Sequence, residues 1–322
     1  DVTATGGNNT ITTGDGADTI IGGTGDDNMS GQNGADTFQF ATANFNSSDT
    51  VSGGNGDDTI EMTDDAVVVD SDFTNVTSVK TLTASAATNL TATLGAAASS
   101  AGLDTVTLTD AGAANTVTIG SGFASALAIT LASDDTAGDT ITATNYTKAL
   151  TVSATDENLD SNASTVTGGT GSDTLAITIT ATNTILTSGV TNVETITLTG
   201  DDGAADVATI TTADGLVADG ASLTIDGSGL DQSSNDAVLT FNGSAEADGT
   251  FTITTAGAGG HTITLGQGND TYTGSGSGTT TVTATGGNNT ITTGTGADTI
   301  TAGSGTDTIT GGTGADIFAF GS

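Results

Sequence analysis

The chain has 322 residues, no cysteine, proline or tryptophan, 3% aromatic residues, and 38 acidic side chains against two lysines, for a net charge of −36. That composition excludes a compact globule built round an aromatic core, and that charge excludes binding to nucleic acid or to an anionic membrane. Carboxylates in such excess either leave a chain disordered or are neutralised by cations, and the regular strand pattern described below selects the second.

No apolar run is long enough to cross a membrane and no secretory leader opens the chain; the start at Asp1 instead of methionine points to a processed product or an excised segment. The absence of cysteine fits an extracellular protein held together by other means. Valine, isoleucine and leucine are set singly between threonine and alanine, a period-two texture that predicts an all-β chain with essentially no helix.

From the N-terminus, residues 4–39 divide into four nine-residue units, ATGGNNTIT, TGDGADTII, GGTGDDNMS and GQNGADTFQ. Glycine recurs at position four, aspartate or asparagine at six and an apolar residue at eight. A separate copy, GGNGDDTIE, fills 53–61, and another, GGTGSDTLA, fills 168–176. Near the C-terminus AGAGGHTIT (256–264) and LGQGNDTYT (265–273) are followed, after Gly274, by further units that end at residue 319. Glycines at positions one, two and four allow positive φ and close backbone approach, so such a loop turns its carbonyls toward one point. An aspartate at position six adds a hard anionic oxygen, the donor that Ca²⁺ takes in sets of about six to eight at about 2.3–2.6 Å. Position eight then directs its apolar side chain into a narrow core, while seven and nine face outward.

These units match G-G-x-G-x-D-x-U-x, and the chain here resembles the RTX family, whose nonapeptides wind into a calcium-loaded parallel β-roll. The resemblance implies a parallel β-solenoid rod with an RTX β-roll block at 1–61, a Thr/Ala-rich solenoid body at 62–255 and a second roll block at 256–322. Two nonapeptides make one coil in such a roll, so ions lie between motif n and motif n+2. That pairs Asn9 with Asp27, Asp18 with Asp36, Asp270 with Asn289, Asn289 with Asp307, and Asp298 with Asp316. Loop glycines Gly22, Gly25, Gly34, Gly53, Gly56, Gly268, Gly296, Gly305 and Gly314 complete these calcium sites. The separate copies add Asp57, and Gly168, Gly171 and Asp173. Thr280 and His261 stand at position six in place of aspartate, and Asn9 and Asn289 carry no charge, so sites that use them are expected to be weaker or absent.

Residues 62–255 lack the nonapeptide but keep its texture in segments such as DTVTLT, NTVTIG, DTITAT, TLAITIT and ETITLTG, separated by polar gaps that contain Gly, Asn or Asp. VTSVKTLTAS (76–85) and VTNVETITLT (190–199) read as copies of one another. In texture the body is similar to the β-solenoid bodies of bacterial surface-layer proteins and of large adhesins exported by type I secretion. Asp64, Asp65, Asp134, Asp135, Asp201 and Asp202 are expected to be solvated turn residues, His261 an ordinary turn residue, and the two lysines solubilising. Phe38, Phe40, Phe318 and Phe320 close the two motif runs and are expected to plug the roll ends. Thr290, Thr292, Thr308 and Thr310 are expected to stack as flat outward rows about 4.8 Å apart, a surface usual on exposed strands that also suits the ordering of water or ice.

Enzymatic readings lack their parts: one histidine cannot supply H-E-x-x-H, no serine stands in G-x-S-x-G, and there is no arginine for a β-helix lyase. The expected function is therefore non-enzymatic: a calcium-dependent extracellular structural protein on a bacterial cell surface, as a subunit or repeat segment of a surface layer or filament. Such a protein self-associates, contacts cell-surface polysaccharide, and has no nucleic-acid partner and no membrane insertion. The alternatives are the stalk segment of a giant RTX adhesin, ice- or surface-binding, and the accessory calcium-binding domain of a secreted enzyme. The two ends also repeat one another, since residues 2–20 recur at 282–300 with one difference, Asp15 against Thr295, and the likeness continues more weakly to Phe40 and Phe320. A rod that continues axially, by covalent repetition or head-to-tail contact, is the expectation that follows.

Overall fold

In a computed structural model the described residues are all but 86–87, 110–111, 113, 134–136, 161–163, 202–206, 215, 231–236 and 321–322. Asp134, Asp135 and Asp202 lie outside them. The repeating local event is a short strand such as Thr10–Thr12, Thr290–Thr292 or Thr299–Ala302, with one apolar residue set between threonines. The pleat sends the central side chain inward and its β-branched neighbours outward, so three residues place one core residue. Strands this short hold only because each pairs, in parallel, with the equivalent strand of the next coil. The fold is a parallel β-solenoid.

The chain divides into two compact units, Asp1–Val152 with Ser164–Gly171, and Ser153–Ala163 with Ser172–Ser322, so the division falls inside the Thr/Ala-rich body. In the first unit one sheet runs Val2–Thr3, Thr19–Ile21, Thr37–Phe40, Thr59–Met62, Thr81–Ala84, Thr105–Thr107 and Leu127–Thr130. Its core is a column of register partners, Ile20, Phe38, Ile60, Leu82, Val106 and Ile129, all at 0% exposure. Each such side chain contributes about 1.5–3 kcal/mol by burial. A second sheet orders Thr10–Thr12, Asn28–Asn33, Thr50–Asn55 and Val76–Thr77, and a third orders Ala66–Val68, Leu90–Leu94, Thr116–Ile119, Thr140–Thr142 and Thr165–Thr167. A short α-helix, Ala96–Ala101, interrupts the strands: Asp70 Oδ1 accepts the N–H groups of Gly95 at 2.8 Å and Ala98 at 2.9 Å, and Gly102, at φ 102°, ends it.

In the second unit one sheet runs from Thr174–Ile179 through Thr195–Gly200, Ser222–Gly229, Thr250–Thr255, Thr271–Gly274 and Thr290–Thr292 to Thr308–Thr310. The other runs from Asn183–Leu186 through Val207–Thr211, Val238–Asn242, Thr262–Thr264, Thr281–Thr283 and Thr299–Ala302 to Ile317–Phe320. Thr252, Thr271, Thr290 and Thr308 form one outward row, and Thr254, Thr273, Thr292 and Thr310 another, in register and not buried. The two segments that read as copies share a bend: Ser78 at φ 56° and Asn192 at φ 51° hold equivalent left-handed positions before the strands at Thr81 and Thr195. Among the described residues no helix is long and apolar enough to cross a membrane.

Phe38 and Phe40 do not plug a roll end. They lie mid-column, paired with Ile60 and Met62 of the next coil, and the tilted rings of Phe40 and Phe45 lie 4.9 Å apart between centroids. Phe318 and Phe320 stand in register with Ile300 and Ala302 of the preceding coil.

Candidate metal centre

The residue at position six stands just before its strand, where its backbone N–H finds no partner in the sheet. It is satisfied by the side chain one coil later. Asn9 N–H donates to Asp27 Oδ1 at 2.8 Å and Asp18 N–H to Asp36 Oδ1 at 2.9 Å, each across 18 residues. The ladder continues from Asp27 to Asp49 Oδ1 at 3.0 Å and from Asp36 to Asp58 Oδ1 at 2.9 Å, across 22 residues. In the C-terminal block one ladder runs Phe251, Asp270, Asn289, Asp307 with bonds of 2.8, 2.9 and 2.9 Å, and another runs Thr280, Asp298, Asp316 with bonds of 2.8 and 3.0 Å. The carbonyls return the link, since Thr37 N–H donates to Asp18 O and Thr59 N–H to Asp36 O, both at 2.8 Å. Hydrogen bonds from a neutral donor to a carboxylate contribute about 1.5–3 kcal/mol each, so the ladder ties coils together independently of the apolar column.

Each carboxylate therefore has one oxygen engaged and one to account for. The Oδ2 atoms of Asp36, Asp58, Asp270 and Asp298 are buried with no hydrogen-bond partner. A buried charged acceptor left so costs more than the ladder bond contributes, unless a cation takes it up. Space is kept for these oxygens by the glycine at position one: a Cβ on Gly22 or Gly53 would lie 2.4 Å from the Oδ2 of Asp27 or Asp58. At position four the backbone is stacked instead. Gly34 (φ 131°) and Gly56 (φ 138°) press on the carbonyl oxygens of Gly16 and Gly34, where a Cβ would stand at 2.0 and 1.9 Å. Gly25, Gly268, Gly296, Gly305 and Gly314 pack on the preceding coil's carbonyls in the same way. Carboxylate oxygens and carbonyl oxygens brought together without a basic side chain make a hard-oxygen donor set, and these residues fit a calcium ion. Burial pushes the carboxyls of Asp49, Asp58 and Asp270 above their ordinary value, a desolvation cost that a bound cation would offset.

A parallel β-solenoid whose coils are laddered by buried aspartates over glycine turns is a calcium-binding repeat protein. The sequence model of the RTX calcium-binding nonapeptide repeat matches residues 3–38, 45–61 and 283–318, in four copies, so these segments are RTX-type repeats. RTX repeats are calcium-binding structural modules, typically of secreted proteins. No match was found among curated proteins or among solved structures.

Several position-six assignments change. In GGNGDDTIE the sixth residue is Asp58, which is fully buried in the ladder, and not Asp57, which is 76% exposed and ion-paired with Lys80. Lys80 is thereby a partner of the turn and more than a solubilising charge. Asp49 was hidden in NFNSSDTVS (44–52), which keeps position six and the strand but has no loop glycine; its Oδ2 accepts the N–H of Asn46 at 3.0 Å. The motif at 168–176 is split between the units. Gly168 is buried and Gly171 packs on Lys148 O in the first unit, while Asp173 in the second is buried and donates its N–H to Glu194 Oε2 at 2.7 Å.

The ladder also extends where no nonapeptide is legible. Leu90 N–H donates to Asn115 Oδ1 at 2.8 Å, Asn115 N–H to Asp139 Oδ1 at 2.9 Å, and Asp139 N–H to Ser164 Oγ at 2.9 Å. The signal was present as N-T-V-T, D-T-I-T and S-T-V-T, a polar residue directly before a threonine-flanked apolar one. His261 is no ordinary turn residue: it is buried, and its Nδ1 accepts Leu239 N–H at 3.0 Å in the position-six role. Asp64 and Asp65 are exposed as expected, yet bridge coils by accepting the N–H groups of Thr42 at 2.8 Å and Asn89 at 3.0 Å. Asp214, Glu246 and Asp248 also cluster, with one oxygen from each within 4.8 Å of the others. Glu246 is buried there and holds the N–H groups of Gly249 at 3.0 Å and Val217 at 3.4 Å, so its oxygens already serve the backbone.

Proposed function

We propose that the chain is a calcium-dependent extracellular structural protein of a bacterial cell surface, a subunit or repeat segment of a surface layer or filament whose coils are continued axially by further coils of the same kind. The observation that carries this is the recurrence of residues 2–20 at 282–300, which puts the same coil pattern on the equivalent strands Thr10–Thr12 and Thr290–Thr292. Coils that pair in parallel with their neighbours are matched by further coils of the same kind. The side chains of Asp307 and Asp316 accept backbone N–H groups of the coil before them, so calcium at such rungs joins one coil to the next. Rows of exposed threonine offer hydroxyls to cell-surface polysaccharide.

Electron microscopy of the purified chain with millimolar calcium tests this reading: filaments or sheets with a regular axial repeat are expected, dispersed by chelator. Isolated particles at high protein and calcium concentration overturn it. The same threonine rows favour a second reading, an adhesin stalk that orders water or ice, and thermal hysteresis of a calcium-loaded solution separates the two.

A further inference from the structure

Asparagines at position six make contacts that the aspartates do not. Asn289 and Asn115 are 1% and 2% exposed, and the Oδ1 of each is fixed by a backbone N–H from one coil earlier, that of Asp270 at 2.9 Å and that of Leu90 at 2.8 Å. The amide nitrogen must then point the other way, into the oxygens of the turn. Asn289 Nδ2 lies 2.9 Å from Gly286 O, 3.5 Å from Gly287 O and 3.0 Å from Asp307 Oδ1. Asn115 Nδ2 lies 2.9 Å from Asp139 Oδ1. Asn9 Nδ2 faces four oxygens, Gly7 O at 2.6 Å, Gly22 O at 3.1 Å, Gly6 O at 3.5 Å and Asp27 Oδ1 at 3.0 Å. An aspartate has the same shape but places a bare Oδ2 where the amide stands, and at Asp36, Asp58, Asp270 and Asp298 that oxygen is the unpartnered one. The imidazole of His261 follows the amide pattern, with Nδ1 accepting from Leu239 and Nε2 3.1 Å from Ala256 O.

We propose that Asn9, Asn115 and Asn289 are cation-free rungs, in which the side-chain amide donates to the coil oxygens that calcium neutralises at the carboxylate rungs. The inference rests on the calcium reading of the aspartates and goes beyond it. These asparagines are not weakened calcium sites. They are coils closed by hydrogen bonds alone, which need no metal to form and which separate the charged rungs. In the C-terminal block the amide of Asn289 stands between Asp270 and Asp307 along one ladder, so that the two carboxylates are not successive rungs.

The test is a pair of shape-conserving exchanges in the full chain, Asn289→Asp and Asp298→Asn. Two quantities are read: calcium bound per chain by equilibrium dialysis, and the calcium concentration at the midpoint of folding by far-UV circular dichroism. Asn289→Asp is expected to bind an additional calcium and to need more calcium to fold. Asp298→Asn is expected to bind less and to fold at lower calcium, because its Oδ1 still accepts from Thr280 while its new amide donates to Asp316 as Asn289 does to Asp307. An unchanged stoichiometry in Asn289→Asp, with wild type binding calcium normally, overturns the proposal, as does an Asp298→Asn chain that needs more calcium than wild type. If wild type binds no calcium, the reading of the aspartates fails instead. The melting temperature of Asp298→Asn in chelator then decides the amide rung alone: a rise supports it and no rise overturns it.

Discussion

Phe38 is fully buried in register with Ile60 of the next coil, so the core residue of one coil is covered by that of the next. Phe38→Ala removes a buried ring from this close-packed column and is expected to cost about 3–5 kcal/mol, read by chemical denaturation in calcium. A loss of less than about 1 kcal/mol would mean that the apolar column is not what holds the coils together.

Asp57 and Asp58 are adjacent, and the structure gives them opposite weights. Asp58 accepts the N–H of Asp36 and keeps a buried oxygen, whereas Asp57 pairs with Lys80 at the surface. Asp58→Ala is expected to lower calcium stoichiometry and to destabilise by about 2–4 kcal/mol, the loss of a charged ladder bond together with an opened cavity. Asp57→Ala is expected to change stability by less than about 1 kcal/mol, as exposed ion pairs do. Calorimetric melts of the two variants in calcium check this, and equal losses would contradict the ladder.

The nonapeptide frame made the ends of the chain legible because glycine, aspartate and an apolar residue each answer to one physical demand. A turn pressed on a carbonyl needs Gly34, an engaged carboxylate needs Asp36, and a column position needs Phe38. Where only one demand remains the frame fades. Asp139 and Asn115 keep the ladder bond, but the coils there are 24 and 25 residues long, and no glycine stands at place one, two or four of a nonapeptide whose sixth place is either residue. In GGNGDDTIE the frame itself puts position six at Asp58, and the burial of Asp58 beside the exposed Asp57 agrees with it. Lys80 could not be placed from sequence, since its partner Asp57 stands one coil earlier.

Stability should respond to pH in opposite directions with and without calcium. Burial raises the carboxyls of Asp49, Asp58 and Asp270 above the ordinary 3.8, so the metal-free fold binds protons more tightly than the unfolded chain does. The stability carried by these protons is fully present below about pH 3.8 and is lost as pH rises through the folded values. In chelator the folded fraction, read by far-UV circular dichroism, is therefore expected to rise as the solution is taken from neutral toward pH 4, helped by the fall in net negative charge. In saturating calcium the melting temperature is expected to fall over the same window, because the ion requires ionised carboxylates. Circular dichroism in chelator and thermal melts in calcium from pH 4 to pH 7 decide it; stability that runs the same way in both would count against calcium at these residues.

Glycines of the turn are expected to differ sharply in tolerance. Gly56 combines φ 138° with a position where a Cβ would stand 1.9 Å from Gly34 O, so Gly56→Ala is both strained and overlapped with backbone that has no room to retreat. A left-handed non-glycine residue alone costs about 1–3 kcal/mol, and relieving the overlap opens the stack of carbonyls, so calcium affinity is expected to fall with stability. Gly120, in the turn after Thr116–Ile119, would place a Cβ no closer than 3.4 Å to Leu94 O, an ordinary contact, and has no left-handed φ. Gly120→Ala is expected to be neutral or to stabilise by a few tenths to about 1 kcal/mol, through the lost freedom of the unfolded chain. Chemical denaturation of both variants in calcium measures the contrast. A Gly56→Ala chain as stable as Gly120→Ala would mean that the close carbonyl stacking between coils is not what holds the turn.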